Sequence, residues 1–592
     1  MAEQMRWDLA QLVDSTEPER IEAKLDEMVD EANKFAAKYR EKIGGLDSSG
    51  LLKLLEARDA FTLRYEGVTE YCGLRYSADS TDAVSKRLNE AVRKAGNKAG
   101  QALAFAEIEL GGLLKAKPGL VTDSKLEEYR HFLERIVRRI PHLMTEELEK
   151  LTISKDQNGV SAWSQLQGDW LSTRSFRIKV EGVEKTMPYG EIIALYQSRD
   201  RALRMEANRV VYDGLGKDDI VWASAIRGVC GDHLQMCEWR KYPSPMTQSL
   251  IDNDVEQEAI DALMHTMEGS VESYRRYLRL KAKLMGLKKL GNWDIVAPLP
   301  KAPEKKYTWE ESRREVVAAY KSFDPEWAAW VDEMYGRRHI DGEVRKGKRS
   351  GAFCATWLAG KSAYVLQSFN GQMGDVYTQA HELGHAVHAY LGGRNQKPSN
   401  YEIGSCIAEC GSVFGELLLT DRLLAAVKTM EEKQAVIATV LDEFGMAAYQ
   451  VSARVFFEKS MYDAIKAGKF LDGETVSSLW TAGRDKIYGD AVEWLPEMKW
   501  EWTMKVHYYI PNYRFYNYPY VYAQLFVFAL YRLYKEQGKA FVPKMKTLLA
   551  AGSSRSPTEL AKDIGFDVTS ENFWRKGIQQ FEELVDQLES TM

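Results

Sequence analysis

Six cysteines in 592 residues are too few, and too irregularly placed, to form a disulfide framework. Cys72, Cys230, Cys237, Cys354, Cys406 and Cys410 read as reduced thiols, which points to a cytoplasmic protein. Long hydrophobic runs are missing too. The longest, near Leu525 to Leu533, is broken by Tyr531 and Arg532 and is too short to span a bilayer. Met1 to Val13 is mixed and polar, so no secretory signal is expected. Nor is there an excess of one charge: 80 basic against 86 acidic residues leave a net charge of −6. No phosphate-seeking surface comes from that balance, and neither nucleic acid nor membrane is an expected partner. Internal repeats and low-complexity tracts are absent, and strand signals are few. What remains is ordinary globular composition, 45% hydrophobic and 28% charged, in a chain too long for one simple core.

Most of the chain has helical periodicity. Ile21, Leu25, Met28, Ala32, Phe35 and Tyr39 form one stripe, with Thr16 and Glu19 as a capping box opening it. Phe573, Ile578, Phe581, Val585 and Leu588 repeat the pattern near the other end. Phe176 to Val180, Glu181-Gly182 and Val183 read as a hairpin, and Ala363 to Phe369 as a short strand. The stretch Ala297-Pro-Leu-Pro-Lys-Ala-Pro303 has the look of a linker. The expected fold is mainly α and two-lobed, with an N-terminal helical lobe over 1–188 and a second lobe over 189–592. A small β-sheet is expected beside a histidine-rich helix that begins shortly before residue 381.

Within that helix, His381-Glu382-Leu383-Gly384-His385 is the most informative segment. Helix positions four apart are offset by about 40° and about 6 Å of rise, so His381 and His385 can grip one Zn²⁺ from a single face. Glu382 is placed to take a proton from water held there. A third protein ligand is required. The helix should stop at Gly392-Gly393, and after a polar loop a second helix should run from about Gly404 to Leu419. Glu409, over one turn into that helix, can face back to the histidine pair. Glu416 lies about 10 Å further along and suits an outer role, accepting from a histidine. His388 fails the same distance test, about 10 Å from His381 along its helix, and should pack locally. Cys406 and Cys410 read as buried small hydrophobes rather than ligands.

Gly374-Asp-Val-Tyr-Thr-Gln-Ala-His-Glu-Leu-Gly-His-Ala-Val-His388 resembles the extended metal helix of the oligoendopeptidase F and thimet oligopeptidase group of zinc metallopeptidases. Glu409-Cys-Gly-Ser412-Val-Phe-Gly-Glu416 is similar to that family's third-ligand helix, and Gly347 to Cys354 to the loop before its edge strand. Trp7-Asp8-Leu9 and Gly552-Ser-Ser-Arg-Ser-Pro557 are similar to motifs at the family's two ends, so the resemblance spans nearly the whole chain. It implies a helical, two-lobed, usually cytosolic enzyme with one zinc at the floor of a deep channel, cutting short peptides and sparing folded proteins. It also implies roles in the segment His507-Tyr-Tyr-Ile-Pro-Asn-Tyr-Arg-Phe-Tyr-Asn-Tyr-Pro-Tyr-Val-Tyr522, where a histidine and tyrosine hydroxyls face the scissile carbonyl. Tyr513 and Tyr520 match if one extra residue comes after His507, and the register leaves Tyr516, Tyr518 and Tyr520 open as the oxyanion donor.

The resulting expectation is a zinc endopeptidase acting on oligopeptides. His381, His385 and Glu409 hold the metal, Glu416 supports it, Glu382 is the base, and His507, Tyr520 and Tyr513 face the oxyanion. The strand near Ala363 to Phe369 is expected to offer an open edge to the peptide. Two alternatives are a helical peptide-binding scaffold with a structural zinc and a secreted thermolysin-type protease. Monomer and homodimer stay equally open.

Overall fold

A computed structural model describes residues 5–300 and 305–592. The chain is mainly helical with three small sheets among the described residues. It divides into two compact units that interleave along the sequence. One combines Met1–Ile140, Glu304–Ala426 and Leu533–Phe566; the other combines Pro141–Pro303, Val427–Arg532 and Asp567–Met592. A single cut after residue 188 therefore falls inside the second unit, which corrects the expected boundary. The reason lies in the hairpin Ser175–Val180 and Val183–Pro188. Its Phe176 and Ile178 pack against Val211 and Leu215 of the helix Arg201–Gly216, so the hairpin shares a core with the chain beyond residue 188. Its turn residues Glu181 and Gly182 both have positive φ, 53° and 80°, as a two-residue hairpin turn requires. Of the linker-like stretch, residues 301–303 lie outside the described residues.

In the first unit, α1 (Pro18–Tyr39), α2 (Ser48–Ala78) and α3 (Ala83–Leu103) pack through the stripe read from the sequence, with Ile21, Leu25, Met28 and Ala32 all buried. The expected capping box is absent. Pro18 opens α1 at its first position, where a missing N–H costs nothing, and Glu17 makes no side-chain cap.

Helix α4 (Trp309–Phe323) precedes a three-stranded sheet of β1 (Ile340–Asp341), β2 (Phe353–Trp357) and β3 (Ser362–Leu366), in the order β1-β3-β2. Strand β3 pairs parallel with β1 and antiparallel with β2, and all five of its residues are buried. The strand expected to be an open edge is therefore the central one. Its Val365 N–H and that of Gln367 are taken by the carbonyls of His339 and Asp341. The free edge belongs to β2.

The motif helix α5 (Met373–Asn395) is capped by Asp375, which accepts from the Gln372 N–H at 2.9 Å. It runs on through Gly392-Gly393, contrary to expectation. A Cβ on Gly392 would meet the Tyr401 ring at 3.2 Å, so this glycine serves close packing rather than termination. Helix α6 (Ser412–Ala426) starts later than the sequence suggests, after a 3-10 turn Ala408–Cys410. Glu409 therefore sits in that turn, ahead of the helix.

Two glycines decide how closely these elements approach. A Cβ on Gly384 would lie 2.2 Å from the Gly411 carbonyl oxygen, and one on Gly411 would lie 2.3 Å from that of Gly384. A second close approach occurs at Gly415, where a Cβ would meet the Tyr320 hydroxyl at 2.1 Å. That hydroxyl, from α4, donates to the Ala380 carbonyl on α5 at 2.7 Å. Gly384→Ala or Gly411→Ala should therefore cost at least about 1–3 kcal/mol, since backbone must move. Gly112→Ala, in a helix with nothing within 4 Å of the new methyl, is the control and should gain about 0.4–1 kcal/mol. Denaturant midpoints of the three variants check this.

Candidate metal centre

His381, His385 and Glu409 converge. One ligand atom from each lies within 4.8 Å of the others, the geometry a single ion needs. Glu409 Oε2 is 3.4 Å from His381 Nε2 and 3.4 Å from His385 Nε2, and the two imidazole planes stand at 81°. The set is partly open to solvent, with side-chain exposures of 28%, 25% and 34% in that order. Glu416 accepts a hydrogen bond from His381 Nδ1 at 2.5 Å, which fixes that ring and leaves Nε2 its lone pair. Ser412 Oγ donates to Glu409 Oε2 at 2.5 Å, orienting the carboxylate from the first turn of α6. The donor set fits a small divalent ion: two imidazole nitrogens and one carboxylate, with a position left open.

Electrostatics agree with that fit. Burial drives His381 down, but the hydrogen bond and charge of Glu416, with Glu409 and Glu382, outweigh it and push it up to about 9. His385 is lowered to about 4 by burial, which the nearby Glu409 only partly offsets. Glu409 is held below the usual carboxylate range: His385, His381 and the Ser412 hydroxyl prevail over burial. Glu382 is pushed up to about 7 by burial, opposed by His381 and reinforced by Glu409 and Glu416. Three acidic side chains, Glu382, Glu409 and Glu416, thus crowd the two imidazoles, a balance of charge that a bound cation would complete.

His388 is buried, with the Ala408 backbone as its polar neighbour. It packs beside Gly411, and burial lowers its pKa to about 3. Cys406 and Cys410 are fully buried, as a small hydrophobe would be. Cys354 is also nearby: burial raises its thiol, and the Glu382 charge adds to the effect. Sequence reasoning assigned nothing to Ser412, Gly384 or Gly411. The E-x-x-S spacing of Glu409 and Ser412 is a signal that could have found the first.

The second unit gathers the other predicted residues. His507 stacks on Tyr516 with ring centroids 5.5 Å apart and planes at 16°. Tyr513 and Tyr520 lie 6.4 and 6.5 Å from it, and both are well exposed. Tyr518 differs: it is fully buried and its hydroxyl donates to the Ser249 carbonyl at 3.0 Å. Burial holds His507 below its ordinary value, aided by Arg454, Lys505 and Arg514, so a neutral imidazole stands there. The loop is clamped from beneath. Arg514 donates to the carbonyls of His507 and Ile510, and Glu458 accepts the Phe515 N–H at 2.8 Å, which holds Phe515 at φ 54°. No sequence pattern announces Glu458, which is 57 residues from Phe515 along the chain.

A mainly helical chain that presents this donor set beside a buried glutamate has the makings of a metallopeptidase. The family model described as Peptidase family M3 matches residues 194–580, and the one described as Oligopeptidase F matches residues 119–175. The chain belongs to Peptidase family M3 and is a metalloendopeptidase. Oligopeptidase PepF of Bacillus subtilis (strain 168) is 25% identical over 566 residues, spanning 94% of this chain and 83% of that protein. Group B oligopeptidase PepB of Streptococcus agalactiae is 25% identical over 598 residues, spanning 99% and 97%. Among solved structures, one from Chlamydophila abortus superposes with a TM-score of 0.90 at 21% identity, covering 100% of this chain and 99% of that one. Oligoendopeptidase-F from Enterococcus faecium does so at 0.70 and 22% identity, covering 97% and 99%.

Removing the clamp separates fold from chemistry. Glu458→Ala orphans the Phe515 N–H and leaves the buried Arg514 without its compensating charge. A loss of roughly 3–5 kcal/mol is expected, read as a lowered denaturant midpoint.

Proposed function

We propose that the protein is a zinc-dependent oligoendopeptidase of the cytoplasm that cuts short, unstructured peptides. The observation that carries this reading is the convergence of His381, His385 and Glu409, with Glu382 beside them. One zinc ion per chain would be held by those three side chains. When bound, zinc supplies Lewis acidity, acidifying water and polarising a carbonyl. Glu382, buried and raised towards neutrality, takes the proton of the attacking water and later hands it to the leaving amine. Glu416 and Ser412 keep His381 and Glu409 in their orientations throughout. His507, neutral and carrying an N–H, and Tyr520, with an exposed side chain, donate hydrogen bonds to the developing oxyanion, with Tyr513 beside them. The support for this last assignment is the resemblance of the segment together with the clustering of its rings.

The peptide binds by strand addition along β2. Because Val365 and Gln367 face β1, the antiparallel pairs that β3 makes with β2 are at Phe353, Ala355 and Trp357. The backbone groups of Cys354 and Thr356 point the other way and are free to pair with substrate.

A structural-zinc scaffold would need a fourth protein ligand, and the described residues bring only three together. A reducing compartment suits six cysteines that form no disulfide, five of them buried.

Glu382→Gln should retain zinc, measured by metal analysis, while turnover of an oligopeptide falls about 10²–10⁴-fold. Retention of more than about a tenth of the rate would rule the base out. Glu409→Ala should deplete the metal, whereas Glu416→Ala should weaken its affinity about 10–100-fold. Tyr520→Phe should lower kcat about 10²–10³-fold with KM nearly unchanged. A loss of that size at Tyr516→Phe instead would move the donor to the loop ahead of the helix Tyr518–Gln537 and leave the rest intact.

A further inference from the structure

The free edge of β2 is short, and one end of it is closed by an acid. Leu358 continues the outward series Cys354, Thr356, and its N–H is already taken: Glu66 of α2 accepts it through Oε1 at 2.7 Å and the Ala359 N–H through Oε2 at 2.7 Å. Helix α2 runs back along the strand from there. Its later residue Ser77 accepts the Arg349 N–H at 2.9 Å, and Ser80 beyond it donates to the Gly347 carbonyl at 2.7 Å. One helical turn carries Glu70 about 6 Å past Glu66, and two strand residues from Leu358 back to Thr356 span about 7 Å. Glu70, one turn on from Glu66 and on the same face of α2, is thereby carried towards the unpaired backbone of Thr356. Glu70 has no hydrogen bond or ion pair among the described residues, whereas its neighbour Glu66 holds two backbone amides.

We propose that Glu66 and Glu70 form the end stop of the substrate edge, Glu66 by filling the Leu358 N–H and Glu70 by taking a cationic group of the peptide residue bound at Thr356. The cation is an ammonium or guanidinium, either the peptide's own amino terminus or a Lys or Arg side chain. The assignment rests on the reading of β2 as the peptide-binding edge. Unpaired, Glu70 pays for its burial by a pKa pushed up to about 7, with the Glu66 charge adding to it, and a bound cation would relieve both. A carboxylate without any such partner is costly to keep half-buried in the free protein.

The test uses unlabelled decapeptides of one neutral sequence, with cleavage monitored by chromatography and mass spectrometry. One has a free amino terminus, one is acetylated with a single Lys placed in turn at each position before the cut, and one is acetylated and neutral. The readout is the ratio of kcat/KM for each charged peptide to that for the neutral one. In Glu70→Gln this ratio should fall about 10–100-fold, the range expected for losing a hydrogen bond to a charged group. A fall confined to the free-terminus peptide identifies the amino terminus as the cation, and one confined to a Lys peptide identifies the side chain. A ratio within about twofold of wild type for every peptide overturns the proposal. Thr356→Pro separates this from the underlying reading, because it removes an outward N–H without touching the β3 ladder. If Thr356→Pro slows all three peptide types while Glu70→Gln leaves the ratios alone, only the Glu70 assignment falls. If Thr356→Pro leaves every rate unchanged, the edge reading falls and takes the proposal with it.

Discussion

Where Gly384 on α5 passes Gly411 ahead of α6, two backbones meet more closely than any side chain would permit. The candidate metal centre depends on that contact. His381 and His385 flank Gly384 on one element, and Glu409 stands two residues before Gly411 on the other. Moving the elements apart by the width of a methyl group would carry the carboxylate away from both imidazoles at once. Gly415 and the Tyr320 hydroxyl repeat the arrangement one turn further along, so α4 braces the same crossing. Close-packed interiors transmit such shifts instead of absorbing them.

Around this crossing, two of the three converging side chains are oriented by neighbours that stand outside the cluster. Glu416 fixes the His381 ring and Ser412 fixes the Glu409 carboxylate, both from α6. Glu382, between the two histidines in sequence, is buried without a fixed cation and stays near neutrality in its affinity for a proton. Helix α6 therefore orients both side chains, while Glu382 takes its raised affinity for a proton from burial.

The chain announces its histidine pair because their spacing is helical and local. The i, i+4 histidines and the intervening glutamate need nothing but α5 to come together. That Glu409 meets the two histidines was legible, yet its local structure was not: it sits in a 3-10 turn ahead of α6, where the chain passes Gly384. The strand before α5 was also visible as an apolar run, but a run of buried residues reads alike whether central or at an edge, and β3 proved central. Gly392-Gly393 shows the same limit, since glycine marks both helix ends and close approaches. The division into units was illegible for a different reason. Contacts between segments hundreds of residues apart, such as Lys539 with the Ser322 and Phe323 carbonyls, leave no periodic trace.

That interleaving has a consequence for how the enzyme comes into being. The unit holding the candidate metal centre takes its last piece from Leu533–Phe566, and helix α5 packs against the helix Val542–Ala550 within it. A ribosome must therefore deliver almost the whole chain before the unit can close. Until then its histidines belong to an unfinished core, and loop closure over such separations makes assembly slow. His381, His385 and Glu409 are thus all made well before the segment that completes the core around them.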